Sequence, residues 1–188
     1  MTVIYWAAAN RLRYFKFYHP FLPLLDPTKN PEEYFSCSDL LAWTVICVSS
    51  RRCPYEPGLL VSLSGPFSRL LWSTVGSVPQ NYHVVKALCL LCTWPLPTTS
   101  QKSDQTFMLS GLMMQVAMQL GLHRPVQPEE FTTFRMEVRG EELKDRLQTW
   151  VICNVVAQKY VWSLPFTVFL LMLLQCGYGL RSTTKYNI

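Results

Sequence analysis

The 188-residue sequence predicts an all-α fold, a set of helices separated by proline-rich loops. Three observations predict it. The 13 prolines fall in clusters that leave helix-length segments between them. Within those segments apolar residues recur at three- and four-residue steps, the period of a helix with one buried face. Strict two-residue alternation, the mark of a half-buried strand, is scarce.

Taken in order, the first helix is expected over about Tyr5 to Tyr18, stopped by His19-Pro20. The second starts after Ser38, a good N-cap, with Asp39 in the first turn and Arg51-Arg52 at the end, as the helix dipole favours. A third spans about Pro57 to Val75, and a fourth about Asn81 to Thr93, where Val84, Val85, Leu88, Leu91 and Cys92 form a broad apolar face. The fifth is capped by Ser103 or Asp104, carries Phe107, Leu109, Leu112, Met113, Val116 and Leu120 at three- and four-residue steps, and ends at Gly121. The sixth begins near Gly140 with Glu141, Glu142 and Asp145 in its first turns. Its buried stripe is expected to run through Leu143, Leu147, Trp150, Val151 and Val155.

Apolar residues make up 49% of the chain and charged residues 15%, so there is ample core material and little charge to cover it. The net charge of +5 is spread evenly, with Arg51-Arg52 the densest cluster, so composition does not predict nucleic-acid binding. Seven cysteines, an odd number set mostly among Val, Ile and Leu, are expected as reduced thiols.

No catalytic, cofactor-binding or metal-binding residues are expected. His19 and His123 lie in proline-containing stops, where capping or exposure accounts for them, and His83 starts a helix with the same reading. Cys89-Leu-Leu-Cys92 has redox spacing but lies inside an apolar helical run rather than at a helix start, and no second pair completes a zinc site. Phosphate-binding glycine loops are absent, and the acids at Glu129-Glu130 and Glu141-Glu142 read as solvated helix starts. The sequence is therefore not read as an enzyme.

Several phrases are distinctive. They are Tyr14-Phe15, His19-Pro-Phe-Leu-Pro-Leu-Leu-Asp26, Ala42-Trp43 through Ser49-Ser-Arg-Arg52, Val85-Lys-Ala-Leu-Cys-Leu-Leu-Cys-Thr-Trp-Pro95, Met108 through Gln119-Leu-Gly-Leu-His-Arg-Pro125, Glu141 through Trp150, and Cys153 through Gln158. In this order they resemble the middle homology region of fungal six-cysteine zinc-cluster transcription factors. The resemblance implies a helical regulatory domain over 1–158, working in transcription regulation in the nucleus. It also implies a small-molecule effector and a helical partner, intramolecular or from a second copy. DNA would be reached only through a zinc cluster, which this sequence lacks, so no cofactor is expected in the chain. The chain is expected to be a partial domain. Locally, His123 and Arg124 are placed to serve terminal carbonyls, and Arg146 to pair with a carboxylate or stack on an aromatic ring.

Residues 159–188 form an atypical apolar tail. Tyr160 to Leu180 carries no charge and is long enough to span a bilayer, so the competing function is a membrane-anchored helical protein. A core helix is a further reading. The favoured one is translated intron over about Tyr160 to Cys176, because the family phrases stop near Gln158 and Phe, Leu, Val and Met dominate the residues beyond it.

Overall fold

The computed structural model describes residues 2–53, 56, 58–124 and 140–161. Among them are seven α-helices and no strand: α1 (Thr2–Phe17), α2 (Pro31–Cys37), α3 (Asp39–Ser50), α4 (Leu59–Val75), α5 (Tyr82–Thr93), α6 (Thr106–Gln119) and α7 (Gly140–Val161). A short 3₁₀ turn, Gln101–Ser103, precedes α6.

Two helices carry the architecture. In α5 every residue from Val84 to Cys92 is buried, and in α3 ten of the twelve residues are. A helix that is apolar all round can be satisfied only by neighbours on several sides. Accordingly α3 is packed by α1, α2, α4 and α5, while α5 is packed by α3, α6 and α7. The polar residues of α3 bond locally so that they can be buried: Thr44 Oγ1 donates to the Leu40 carbonyl at 2.6 Å and Ser50 Oγ to that of Ile46 at 2.6 Å. Ser49 Oγ also reaches Asn10 Oδ1 at 3.1 Å, which ties α3 to α1.

The helix ends follow their sequence signals. Ser38 Oγ accepts from Leu41 N at 3.3 Å and Asn81 Oδ1 from His83 N at 3.0 Å, each satisfying a donor left free at a helix start. After α6, Gly121 takes a φ of 72°, Leu122 N donates to the Ala117 carbonyl and Gly121 N to that of Met118, both at 3.0 Å. This is a Schellman stop, with Leu122 fully buried behind it.

Several expectations are corrected. Helix α2 is an addition to the expected set, a seven-residue helix with Pro31 at its first position, where a missing N–H costs nothing. Helix α4 starts at Leu59 and runs through Pro66, whose ring lies on the exposed side. The first residue of α6 is Thr106, and Asp104 Oδ1 caps it by accepting from Thr106 N at 2.9 Å. Phe107 is 57% exposed, and α6 instead buries Leu109, Met113, Met114, Val116 and Ala117. On α7 the expected stripe is only partly inward: Leu147, Val151 and Val155 are exposed, Leu143 and Trp150 are half-buried, and Thr149, Ile152, Cys153, Val156 and Ala157 are buried. Helix α7 carries apolar residues on more than one face, and the packing against α5 and α6 selects the one that is buried.

Six cysteines are free thiols, and Cys176 lies outside the described residues, as do Glu129-Glu130 and the tail beyond Val161. No helix among the described residues is long and apolar enough to cross a membrane. Helix α7 continues past Gln158, and Tyr160 OH donates to the Cys92 carbonyl.

Candidate functional site

Lys86 is the sole Lys or Arg in α5 and is 5% exposed. A lysine so deeply placed needs a carboxylate, and α7 supplies Asp145, whose two oxygens both lie 2.7 Å from Lys86 Nζ. Burial pushes the Lys86 ammonium below its ordinary pKa, and the ion pair opposes that push. Tyr82 completes the junction. Its hydroxyl lies 2.8 Å from Asp145 Oδ2 and 2.6 Å from Thr149 Oγ1, and its ring carries Arg146 at 5.6 Å. Arg146 pairs with Glu142 at 3.1 Å, so it both pairs and stacks.

Of these, Tyr82, Lys86, Glu142 and Asp145 line one side of a cleft of about 730 Å³. The rest of its lining is the loop after α1, residues 19–29, with Tyr34 of α2 and Leu41 of α3. The loop is tied in place at three points. His19 Nε2 lies 2.9 Å from the Leu25 carbonyl, Tyr34 OH donates to the Asp26 carbonyl at 2.6 Å, and Gln148 of α7 donates to the Pro23 carbonyl. Thr28 donates to Asp26 Oδ1 through its hydroxyl (2.6 Å) and backbone (2.9 Å), and these bonds lead the lowering of the Asp26 pKa.

His83 corrects the expectation of simple capping or exposure. It is half-buried in the cleft wall, and its Nδ1 is buried without a partner. Burial first, then the charges of Lys86 and Lys29, push its pKa down to about 4, against a smaller upward pull from Asp145. The folded ring is thus held neutral. Because the folded pKa lies below the unfolded value of 6.5, protonation favours unfolding. Stability is therefore full above about pH 6.5 and declines as pH falls toward 4, by about 1–2 kcal/mol once solvent screening of a half-buried ring is discounted. His83→Gln should flatten this part of the stability profile, measured by urea unfolding at stepped pH. An unchanged slope would show that His83 does not carry it.

The remaining candidates stay apart from the cleft. Cys89 and Cys92 lie fully buried within α5, and Cys89 Sγ is 3.3 Å from Cys153 Sγ of α7. Burial pushes the Cys89 thiol well up and Cys92 to about 12, so thiolate chemistry is suppressed. His123 packs against Trp150 with ring centroids 6.1 Å apart. Arg124 N donates to the Gly121 carbonyl at 3.0 Å. A second cavity of about 320 Å³ lies between α4 and the segment before α6, with Ser64, Ser68, Thr98 and Thr106 in its lining. Of the cleft residues, Tyr82 and Lys86 were not expected as site members. The available signal was one lysine inside an otherwise apolar helix; its partner, in another helix, had none.

Comparison with known proteins decides the family. The family described as the fungal specific transcription factor domain matches residues 12–167. The chain belongs to that family. It is 35% identical over 145 residues to the putative transcription factor SEF1 of Kluyveromyces lactis, covering 77% of this chain and 12% of that protein. SEF1 of Saccharomyces cerevisiae is 34% identical over 146 residues, covering 76% and 12%. The regulatory protein LEU3 of S. cerevisiae is 27% identical over 167 residues, covering 81% of this chain and 18% of LEU3. The chain thus spans less than a fifth of the length of these relatives. No solved structure matches it. Membership makes this an all-helical domain of transcription regulators, and the cleft is built inside the matched region.

Proposed function

We propose that this domain is the effector-responsive part of a nuclear transcription regulator, and that the cleft between α5, α7 and loop 19–29 receives the effector. One observation carries the reading: a cleft of about 730 Å³, within the size range of small-molecule sites, lies where α5, α7 and loop 19–29 meet. A ligand there would touch Lys86 and His83 of α5, Glu141 and Asp145 of α7, and Asp26 and Lys29 of the loop. Binding energy spent at such a junction changes how the segments sit against each other, which is what a response to an effector requires. No catalytic step is assigned to these residues: the cleft holds an ion pair and a neutral imidazole but no activated nucleophile. DNA contact is assigned to a zinc cluster outside this sequence.

The test is a thermal-shift screen of the 188-residue chain against a panel of intracellular metabolites, followed by hydrogen exchange on each hit. A true effector at about 100 times its Kd stabilises by about 2.7 kcal/mol. The expected result is a hit that protects backbone amides in 22–29, 82–86 and 141–148. Protection confined to 64–71 and 98–106 would assign the effector to the smaller cavity instead, and no stabilising metabolite would remove the effector role.

A further inference from the structure

The packing of α1 on α3 gathers cations that are dispersed along the sequence. Arg13 and Lys16 lie in the last turns of α1, and Arg51 and Arg52 follow the end of α3. They meet around Phe17 and Tyr18. Lys16 Nζ stands 5.3 Å and the Arg52 guanidinium carbon 6.0 Å from the centre of the Phe17 ring. Burial raises the Tyr18 pKa, and the positive charges of Arg52, Arg51 and Arg13 pull against that rise.

The corner lacks counter-charge. No Asp or Glu occurs in residues 1–25 or 40–55, and among the described residues no carboxylate pairs with Arg13, Lys16, Arg51 or Arg52. Glu56, the acid nearest in sequence to the two arginines, is exposed and forms no ion pair with them. The Tyr18 hydroxyl, on a residue 4% exposed, is buried without a hydrogen-bond partner. Beside these donors the surface is apolar: Leu12 is 67%, Phe17 38% and Phe21 80% exposed, and Phe21 sits in the turn directly after Tyr18.

We propose that this α1–α3 corner is a docking surface for an acidic peptide segment that also carries apolar side chains. Guanidinium forks match carboxylates in geometry as well as charge, and exposed phenylalanines beside them need apolar partners. A nucleic-acid backbone would satisfy the cations but would leave Leu12, Phe17 and Phe21 without apolar contact. None of Leu12, Arg13, Lys16, Phe17, Phe21, Arg51 and Arg52 lines the cleft, so the proposal does not rest on the effector reading.

The experiment is fluorescence anisotropy with the full 188-residue chain and three labelled probes of equal net charge. One is a peptide alternating Asp with Leu and Phe, the second replaces Leu and Phe by Ser, and the third is a short DNA duplex. The Asp/Leu/Phe peptide should bind, and raising salt from about 50 to 300 mM should weaken it. Lys16→Glu with Arg52→Glu should weaken it by about tenfold or more, and Phe21→Ser by a few-fold. These side chains are exposed, and circular dichroism of each variant verifies that the fold is kept. Three outcomes would overturn the proposal: no peptide binding, binding indifferent to the two charge reversals, or equal binding of the Ser peptide. Tighter binding of the duplex than of the peptide, with the same dependence on Lys16 and Arg52, would make the corner a nucleic-acid surface instead.

Discussion

Asp145→Ala should destabilise the domain by about 2–4 kcal/mol, a large share of the roughly 5–15 kcal/mol that holds a typical domain folded. The loss comes from the groups left behind. Lys86, with its side chain 6% exposed, would keep a charge with no counter-ion, and the Tyr82 hydroxyl would lose one of its partners. The lower end of the range applies because the Asp145 side chain is 41% exposed, so water can enter once the carboxylate is gone. Lys86→Met/Asp145→Leu should recover most of the loss, since removing both charges removes the desolvation penalty while keeping the packing of the lysine stem. Urea unfolding of the two variants beside the parent chain measures this directly. Were Asp145→Ala to cost under about 1 kcal/mol, the ion pair would not be the fastening between α5 and α7.

Ile152→Ala should cost about 2–4 kcal/mol, while Val151→Ala, one residue earlier on the same helix, should stay within about 0.5 kcal/mol. Ile152 is 8% exposed and lies in the core with Val156 and Ala157, whereas Val151 is 58% exposed. Truncating Ile152 leaves a cavity that the close-packed helices cannot fully collapse, and truncating Val151 leaves none. The pair of measurements reads the rotation of α7 without any structural method. Equal costs, or a larger cost at Val151, would mean that α7 presents the stripe Leu147, Val151, Val155 to the core.

That rotation marks where sequence periodicity loses its power. The α-class, the helix order and most boundaries were legible because caps and stops are local chemistry. Ser38, Asn81 and Gly121 each act on backbone groups a few residues away. The family, too, was legible from the phrases around Trp94-Pro95 and Gln119 to Pro125. The outward face of α7 and the exposure of Phe107 were not, because each helix carries apolar residues on more than one side and only its neighbours select the buried one. Helix α2 was lost because seven residues give too little period to detect, and its proline reads as a breaker until its position at the first turn is known.

The same division separates the chemistry. By itself the sequence determined that α5 would hold a single lysine among apolar residues, and that no acid would accompany the cations of residues 1–25 or 40–55. Only the tertiary structure decided that Asp145 meets that lysine, that His83 is held neutral in a cleft wall, and that Arg13, Lys16, Arg51 and Arg52 share a corner. The physical reason is range. Helix formation and capping act within one or two turns, whereas ion pairs, desolvation and surface fields depend on distances through space between elements that are far apart along the chain.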